Sequence, residues 1–303
     1  MNTVTIGSRG SKLALLQTNQ VRDMLIEVYP HLNININIIK TKGDNDLDKP
    51  LHEIGGKSIF TGELEDELLS HNVDIAVHSL KDLPSTLPEG LIYDGSPGRA
   101  DARDVFVSEK WNTLDKVPQG GTIATGSSRR KAQMLQYRPD LHIVGLRGNI
   151  DTRLIKLDKN KWDGIIMASS ALHRLGLHSR ISQYLDPEYF VPAGGQGAIG
   201  LELAVDREDV KPLLNAIIDE ETTSCCKAER LYLQKMESSC FSPIGCLAKI
   251  DKDDFIITGY VACLNGSRYI KKTEKGKIVD SKKLALQLAN NMIQDGAREI
   301  MGK

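Results

Sequence analysis

The sequence predicts an α/β protein with a smaller α+β domain at its C-terminal end. Short apolar runs alternate with amphipathic helical stretches over residues 4–77 and again over 122–167, which is the pattern of βα units. After residue 220 the pattern changes to a helix, a β-hairpin and a second helix. A length of 303 residues allows about two domains, or three small ones.

The first series of elements begins near the N-terminus. Leu13, Leu16 and Val21 recur at helical spacing, which predicts a helix over 12–28. The other predicted elements are strands at 4–6, 32–38 and 75–77 and a helix at 63–71. The stretch 42–58 is rich in Gly, Asp and Lys, which predicts a long loop of the kind that forms a lid or a binding element.

A second series occupies the middle of the chain. Its predicted elements are strands at 122–124, 141–146 and 165–167 and helices at 127–137 and 151–158. We expect both series to form largely parallel sheets. Segments 94–103 and 191–200 contain Gly and Pro, flank the middle series and predict two chain crossings. The middle series is therefore expected to be a domain inserted into the first, with a hinged cleft between the two.

The C-terminal part predicts a domain of a different kind. Its predicted elements are helices at 223–236 and 281–295 and strands at 254–264 and 267–273. The two strands are joined at Asn265-Gly266, which is a strong hairpin signal. The sequence therefore predicts three domains, comprising residues 1–97 with 198–215, residues 103–191, and residues 220–303.

Charge and cysteine content narrow the classes of function. Lys and Arg number 39 and Asp and Glu number 40, so the net charge is -1. A general binder of nucleic acid or membrane surfaces is normally basic, so the composition disfavours that class of protein. No apolar run reaches the ~18 residues that a membrane span requires, and the N-terminus lacks the pattern of a signal peptide. An odd count of five cysteines predicts free thiols in a reducing cytosol. Without Cys-x-x-Cys pairs or clustered histidines, no metal site is expected.

Arginines are concentrated where ligands bind in α/β sheets. Arg9, Arg129, Arg130, Arg147 and Arg153 follow predicted strands or lie in the first turns of the next helices. Ligands of open α/β sheets bind beyond the carboxyl ends of the strands, and helix N-termini there favour anions. These arginines predict a site for a ligand with several carboxylates or phosphates. The alternative is that each is a solvated surface residue.

A short polar segment after the strand at 75–77 is a candidate for catalysis. It contains Lys81 and Asp82, and a neighbouring lysine favours an ionised aspartate. The alternative is a turn in which Asp82 bonds its own backbone and Pro84 ends the strand. His78 is interpreted as a structural histidine.

The cysteines differ in their predicted surroundings. Cys240 lies in a loop by composition, where a thiol is available as a nucleophile. Cys225, Cys226 and Cys263 lie on a predicted helix or strand and are interpreted as core residues. Cys246 is open to either interpretation. The Gly-rich run at 194–197 lacks a following Lys-Ser/Thr, so it predicts a hinge or a close backbone approach rather than a nucleotide-binding loop.

Taken together, these segments resemble the porphobilinogen deaminase family, also called hydroxymethylbilane synthases. The segments that carry the resemblance occur in the family's order and lie at 6–15, 55–57, 75–84, 127–130, 146–149, 152–153, 172–177, 192–198 and 240–245. The resemblance implies two domains like those of periplasmic binding proteins, with a hinged cleft, and a third domain that carries a cysteine. It further implies a monomeric cytoplasmic transferase with no nucleic-acid or membrane partner.

The resemblance also implies a reaction and a set of site residues. Four porphobilinogen molecules are joined with release of ammonia, and water releases the linear tetrapyrrole hydroxymethylbilane, a haem and porphyrin precursor. A dipyrromethane cofactor is attached to Cys240 by a thioether, and Asp82 is catalytic. The implied contacts to the cofactor and the growing pyrrole chain are Arg9, Ser11, Gln17, Lys57, Ser79, Lys81, Thr125, Ser127, Arg129, Arg130, Arg147, Arg153, Arg174 and Gln196.

This sequence departs from the family pattern at Glu53, around Gly126, and at Ser238-Ser239 before the cysteine. None of these changes removes a main chemical group. An alternative from another class is a non-catalytic, two-domain anion-binding protein, and a third is a metal-dependent transferase. Intact mass discriminates among them, because an enzyme of this family should exceed its sequence mass by the covalent cofactor.

Overall fold

A computed structural model describes residues 2–41, 43, 60–237 and 242–302 of the chain. The chain forms two compact units, one of Met1–Ala100 with Ala198–Thr223 and one of Asp101–Gly197 with Ser224–Lys303. The described part holds two five-stranded sheets and one three-stranded sheet, so the predicted mixed α/β class with a small α+β part is confirmed. The predicted loop at 42–58 lies outside the described residues except for Gly43.

The first unit is built on a sheet with the strand order β2-β1-β3-β10-β4. Its strands are β1 (Thr3–Arg9), β2 (Asn33–Ile39), β3 (Ile75–Ser79), β4 (Leu91–Gly95) and β10 (Ile199–Ala204), and its helices are α1 (Lys12–Val28), α2 (Gly62–Leu69) and α6 (Lys211–Asn215). Helix α1 packs Val21 against Val4 and Ile6 on one face of the sheet. Helix α2 packs Leu64 and Leu68 on the other face. Burial of each such side chain contributes about 1.5–3 kcal/mol.

The second unit contains a sheet with the strand order β7-β6-β8-β5-β9. Its strands are β5 (Asp104–Val107), β6 (Thr122–Ala124), β7 (His142–Val144), β8 (Gly164–Ala168) and β9 (Gln183–Tyr184), and its helices are α3 (Ser128–Tyr137), α4 (Ile150–Asn160) and α5 (Ser169–Arg174). Helix α4 buries Leu154 and Leu157 against this sheet.

The C-terminal sheet is an antiparallel meander with the strand order β11-β12-β13. Its elements are α7 (Glu220–Lys235), β11 (Ile244–Asp251), β12 (Asp254–Ala262), β13 (Tyr269–Gly276), α8 (Ser281–Gln294) and α9 (Ala297–Ile300). Tyr232 of α7 and Leu288 of α8 are fully buried in its core with Phe255. The hairpin predicted at Asn265-Gly266 joins β12 and β13.

In each of the two larger sheets four strands run in the same direction and one strand runs against them, so the expectation of largely parallel sheets is confirmed for strand direction, but the antiparallel strand was not predicted. Strand β10 runs antiparallel to β3 and β4, and β5 runs antiparallel to β8 and β9. In register, Ile199 lies opposite Ser79 and Asp104 lies opposite Ala168. Each strand therefore enters its sheet at the carboxyl end of a neighbour and has to run back along it.

The other sequence expectations about helices, cysteines and domain boundaries had different outcomes. The helix predicted over 12–28 has the observed bounds, and Cys225 and Cys226 are buried as expected. The core interpretation of Cys263 is wrong, because β12 ends at Ala262 and leaves this thiol half-buried in the hairpin loop. The three-domain boundaries are finer than the two compact units and stay a prediction. No helix among the described residues is long and apolar enough to cross a membrane.

Candidate functional site

The predicted site residues of the first unit gather at the carboxyl ends of β1 and β3. Arg9 is the last residue of β1, and its guanidinium lies 4.4 Å from the centroid of the Phe60 ring. Ser79 ends β3 and donates a 2.9 Å hydrogen bond to Oε1 of Gln17, which is buried on α1. Ser11 caps α1 by accepting a bond from the backbone of the first turn. These residues line one edge of the sheet.

Asp82 lies at the same edge on an exposed turn. Residues 80–82 form one turn of 3₁₀ helix, which the Leu83 amide closes by donating to the carbonyl of Leu80 at 3.1 Å. Within the described part of the chain, the Asp82 carboxylate takes part in no hydrogen bond or ion pair. The turn is thus made by the backbone, and the alternative in which Asp82 holds its own backbone loses its support. The carboxylate is exposed and available to a ligand.

A buried pair beneath this edge was not predicted. His78 Nε2 lies 2.9 Å from Oε2 of Glu202, and both side chains are almost completely buried. The pair joins β3 to β10 on the face that α2 covers, which agrees with a structural role for His78. Glu202 gave no local signal in the sequence, because its partner lies 124 residues away.

The second unit has a compact polar cluster at the carboxyl edge of its larger sheet. Asp104, at the start of β5, accepts bonds from Nη1 of Arg129 at 2.7 Å and from Nε and Nη2 of Arg130 at 3.0 and 2.7 Å. Gln196 Nε2 donates to the same carboxylate at 2.8 Å. Arg129 and Arg130 are 3% and 6% exposed, and Asp104 is fully buried. The two guanidinium charges therefore meet one carboxylate.

The charges of this cluster shift each other's ionisation. Burial by itself would raise the pKa of Asp104, but the attraction and hydrogen bonds of Arg129 and Arg130 outweigh burial and lower that pKa below its ordinary value. Burial lowers the pKa of Arg129, and Asp104 opposes this effect. Two guanidinium groups face one carboxylate, so the cluster carries one net positive charge.

The remaining predicted residues of this unit surround the cluster. Thr125 is buried, and Ser127 caps α3 by accepting a bond from the Arg130 amide. Arg147 and Arg153 are half-buried, and Arg153 Nε donates to the Gly148 carbonyl at 2.7 Å. Arg174 donates to the Gly197 carbonyl at 2.9 Å, and burial lowers the pKa of its guanidinium.

Gly126, where the sequence departs from the family pattern, closely approaches the backbone that precedes Arg147. A Cβ at this position would lie 2.4 Å from the carbonyl oxygen of Leu146. We expect Gly126→Ala to lower the melting temperature by about 5 °C, because overpacking costs roughly 1–3 kcal/mol. Gly145→Ala is the matched control, since a Cβ there meets nothing within 4 Å. Thermal unfolding followed by circular dichroism measures both, and equal melting temperatures would contradict the prediction.

The described segment that follows residues 238–241 is anchored within the second unit. Cys240 and Lys57 themselves lie outside the described residues. After the loop, the Cys246 amide donates to the Pro192 carbonyl at 2.9 Å. The carbonyl of the preceding residue, Val191, accepts a hydrogen bond from Nη1 of Arg129 at 2.8 Å. The segment that follows the loop is thus joined through residues 191–192 to the arginine cluster.

The same segment is held from a second side. Glu229 of α7 accepts bonds from the Gly195 amide at 2.6 Å and from the Ala248 amide at 2.7 Å. Gly195 and Gly197 have positive φ values, and a Cβ at Gly194 would lie 2.7 Å from the Leu233 side chain. The run at 194–197 is therefore a close backbone approach, which was one of its two predicted meanings.

Chemically, the described residues offer an anion site and a separate exposed carboxylate. The arginines of the second unit suit ligand carboxylates, with which guanidinium forms paired hydrogen bonds. Asp82 in the first unit suits a cationic centre or a proton transfer. Cys246 is fully buried, which disfavours it as an attachment site. No group of three or more candidate metal ligands occurs among the described residues.

Comparisons with known proteins identify relatives over almost the whole chain. The family model described as "Porphobilinogen deaminase, dipyromethane cofactor binding domain" matches residues 4–212, and the model of the "C-terminal domain" of the same family matches residues 223–294. A porphobilinogen deaminase of Syntrophobacter fumaroxidans is 41% identical over 298 residues, which are 98% of this chain and 96% of the relative. A porphobilinogen deaminase of Nitratidesulfovibrio vulgaris is 42% identical over 303 residues, and the match covers 99% of this chain and 96% of the relative.

Solved structures give only a distant likeness. The methionine-binding protein MetQ is 14% identical and has a TM-score of 0.46 over 73% of this chain and 92% of its own. The assignment of the fold class therefore stands on the sheets of this chain itself.

Proposed function

Because the chain belongs to the porphobilinogen deaminase family, we propose that it joins four porphobilinogen molecules head to tail into hydroxymethylbilane. Each addition releases one molecule of ammonia, and water releases the finished linear tetrapyrrole. The observation that carries the proposal is the buried pair Arg129 and Arg130. Among the described residues, their two positive charges form ion pairs with a single carboxylate, that of Asp104. Porphobilinogen brings an acetate and a propionate group, so the growing chain accumulates the negative charge that this site can accept.

The residues present fit the dipyrromethane cofactor that the family model names. The arginine cluster has a surplus positive charge, and the half-buried guanidinium of Arg174 donates to a carbonyl rather than to a carboxylate in the described part of the chain. Carboxylate-bearing pyrroles would complement both. Arg129, Arg130, Arg147, Arg153 and Arg174 are the residues that would hold the cofactor, and Cys240 would attach it by a thioether. When bound, the cofactor supplies the pyrrole carbon to which the first substrate unit is joined.

Asp82 is proposed to act on the substrate. When ammonia leaves porphobilinogen, the remaining pyrrole methylene is cationic, and a nearby carboxylate stabilises that charge by electrostatic preorganisation. An ionised Asp82 can also bond the pyrrole N–H and accept the proton that is lost when the new bond is complete. Lys81, its neighbour in the chain, is also exposed and places a positive charge at the same turn.

Binding of the substrate in the first unit is proposed for the residues around Asp82. Arg9 and Ser11 would meet substrate carboxylates at the sheet edge, and Ser79 would be oriented by its bond to Gln17. A further proposed contact in the first unit is Lys57. The proposed contacts in the second unit include Thr125, Ser127 and Gln196. Attachment of the acceptor to the chain would make each addition effectively intramolecular with respect to the acceptor.

We further propose that the enzyme works as a cytoplasmic monomer. Four described cysteines form no disulfide, which agrees with a reducing compartment. Sedimentation at micromolar concentration tests the oligomeric state.

Intact mass is the experiment that tests the proposed function. We expect the purified chain to exceed its sequence mass by two pyrrole units and to give the pyrrole colour with Ehrlich's reagent. We also expect it to convert added porphobilinogen to a linear tetrapyrrole. A chain of unmodified mass that binds carboxylates without consuming porphobilinogen would instead be the non-catalytic anion-binding protein.

The arginines are expected to separate into two groups when each is replaced by Leu. Arg129→Leu and Arg130→Leu leave Asp104 buried without one of its partners, which typically costs about 2–5 kcal/mol. We expect these two variants to lose stability and cofactor together. Arg147→Leu and Arg153→Leu should keep most of the parent melting temperature and stall with different numbers of added units.

The measurement is a mass ladder after mixing with limiting porphobilinogen. Arg22→Leu is the control, because Arg22 is 35% exposed and pairs with adjacent Asp23, an arrangement worth roughly 0–1 kcal/mol. If all four site variants gave the parent ladder at the parent rate, the arginines would not bind the chain.

A further inference from the structure

Asp104 is at the centre of the arginine cluster, and no local pattern in the sequence marks it. Its carboxylate is fully buried at the start of β5 and accepts hydrogen bonds from Arg129, Arg130 and Gln196. Both oxygens are used, since Oδ2 meets Arg129 and Oδ1 meets Arg130 and Gln196. A single carboxylate thus joins two arginines of α3 to the strand.

Buried ionic clusters of this kind are weak contributors to stability. Replacing one with packed apolar side chains is often neutral or stabilising, because desolvation offsets the attraction between the charges. A cluster with two cations and one anion is less favourable still, since one charge stays uncompensated. The arrangement is therefore better explained by what the surplus charge binds than by folding.

The hydrogen bonds show how the carboxylate orients each guanidinium. Arg130 is held on three sides, by Asp104 at Nε and Nη2 and by the Ile166 carbonyl at Nη1, 3.1 Å away. Arg129 is held on one side, because in the described part of the chain its bonds to Asp104, Gln133 and Val191 all leave from Nη1. Asp104 thus contacts both guanidinium groups, Arg130 through two nitrogens and Arg129 through one.

We propose that Asp104 is a positioning residue, which orients Arg129 and Arg130 and leaves their site with one surplus positive charge, matched to one carboxylate of a pyrrole unit. This inference rests on the proposed function, which supplies the carboxylate-bearing ligand. Gln196 extends the arrangement, because its Nε2 also donates to the Ala102 carbonyl at 2.7 Å. Asp104 acts through the arginines and touches neither substrate nor cofactor.

Two substitutions in the full-length chain separate positioning from folding. Asp104→Asn keeps the size but removes the charge, and we expect the melting temperature to fall on the order of 10 °C. Asp104→Glu keeps the charge and should recover much of that loss. Its carboxylate lies one methylene further out, so the guanidinium groups are displaced. Because a misplacement of about 1 Å can cost 10²-fold, we expect kcat/KM for porphobilinogen to stay about 10²-fold low in Asp104→Glu.

Asp140→Asn is the matched control. Asp140 pairs with Arg138 at 2.7 Å just after the opposite end of α3, so the same chemical change is made at a partly exposed Arg–Asp pair away from the cluster. We expect it to keep the parent mass excess and the parent kcat/KM. Intact mass gives a readout that is independent of turnover, and we expect the cofactor-loaded fraction to fall in both Asp104 variants.

Each outcome decides between the alternatives. If Asp104→Glu recovers the parent kcat/KM and the parent loaded fraction, Asp104 serves folding and the proposal is overturned. The same conclusion follows if both Asp104 variants fail to fold. The proposal is also overturned if Asp104→Asn folds and matches the parent. If the Asp104 proposal is overturned while the parent chain is loaded and active, the proposed function stays intact. A parent chain without mass excess would overturn both proposals.

Discussion

Cys240→Ser is expected to give a folded chain of unmodified mass that has lost almost all turnover. The serine hydroxyl is a far weaker nucleophile than a thiolate at neutral pH, so the thioether cannot form. Without the attached cofactor the chain has no acceptor for the first porphobilinogen. Because a loop residue by composition contributes little to the core, the melting temperature of the unloaded chain should match that of parent chain freed of cofactor.

Cys263→Ser is the control for this experiment. Cys263 is the only half-buried thiol among the described cysteines, the other three being buried. Burial would raise the pKa of Cys263, but hydrogen bonds from Ser267 and the Arg268 amide outweigh it and lower that pKa. If attachment followed thiol reactivity alone, this cysteine would be modified. We expect Cys263→Ser to keep the full mass excess, and a mass excess that survives in Cys240→Ser would reject the assignment.

Asp82→Asn is expected to lower turnover by about 10²-fold or more. The substitution keeps the size of the side chain but removes the negative charge, and loss of one main electrostatic group costs about this much. The melting temperature should change little, because no hydrogen bond or ion pair holds the Asp82 side chain in the described part of the chain. Single-turnover kinetics with porphobilinogen measure the effect on the chemical step.

Asp206→Asn serves as the control in the same unit. Asp206 is 63% exposed and lies 3.4 Å from His71, so it offers a carboxylate of similar exposure away from the sheet edge. We expect parent turnover from this variant. Near-parent turnover in Asp82→Asn would show that the Asp82 carboxylate has no part in the reaction.

Elements with a strong local pattern were predicted well. Helix α1 begins after the capping serine Ser11 and follows its apolar spacing to Val28, so its bounds agree with the prediction. Strands β5 and β10 were missed, although every residue in them is buried. β5 follows segment 94–103 and β10 begins within segment 191–200, and both segments were predicted to be chain crossings. A short strand buried on both faces also has no alternation to reveal it.

The sequence by itself determined the α/β class, the family resemblance and the positions of the candidate groups, because helical spacing, strand alternation and short motifs are local properties of the chain. Only the tertiary structure decided which groups meet. Asp104 contacts Arg129 across 25 residues and Gln196 across 92, and His78 contacts Glu202 across 124. These partners are set by strand register and helix packing, in which residues distant in the chain are brought within hydrogen-bonding range. A local pattern carries no record of such pairs, so the charge balance of the arginine site could be obtained only from the folded chain.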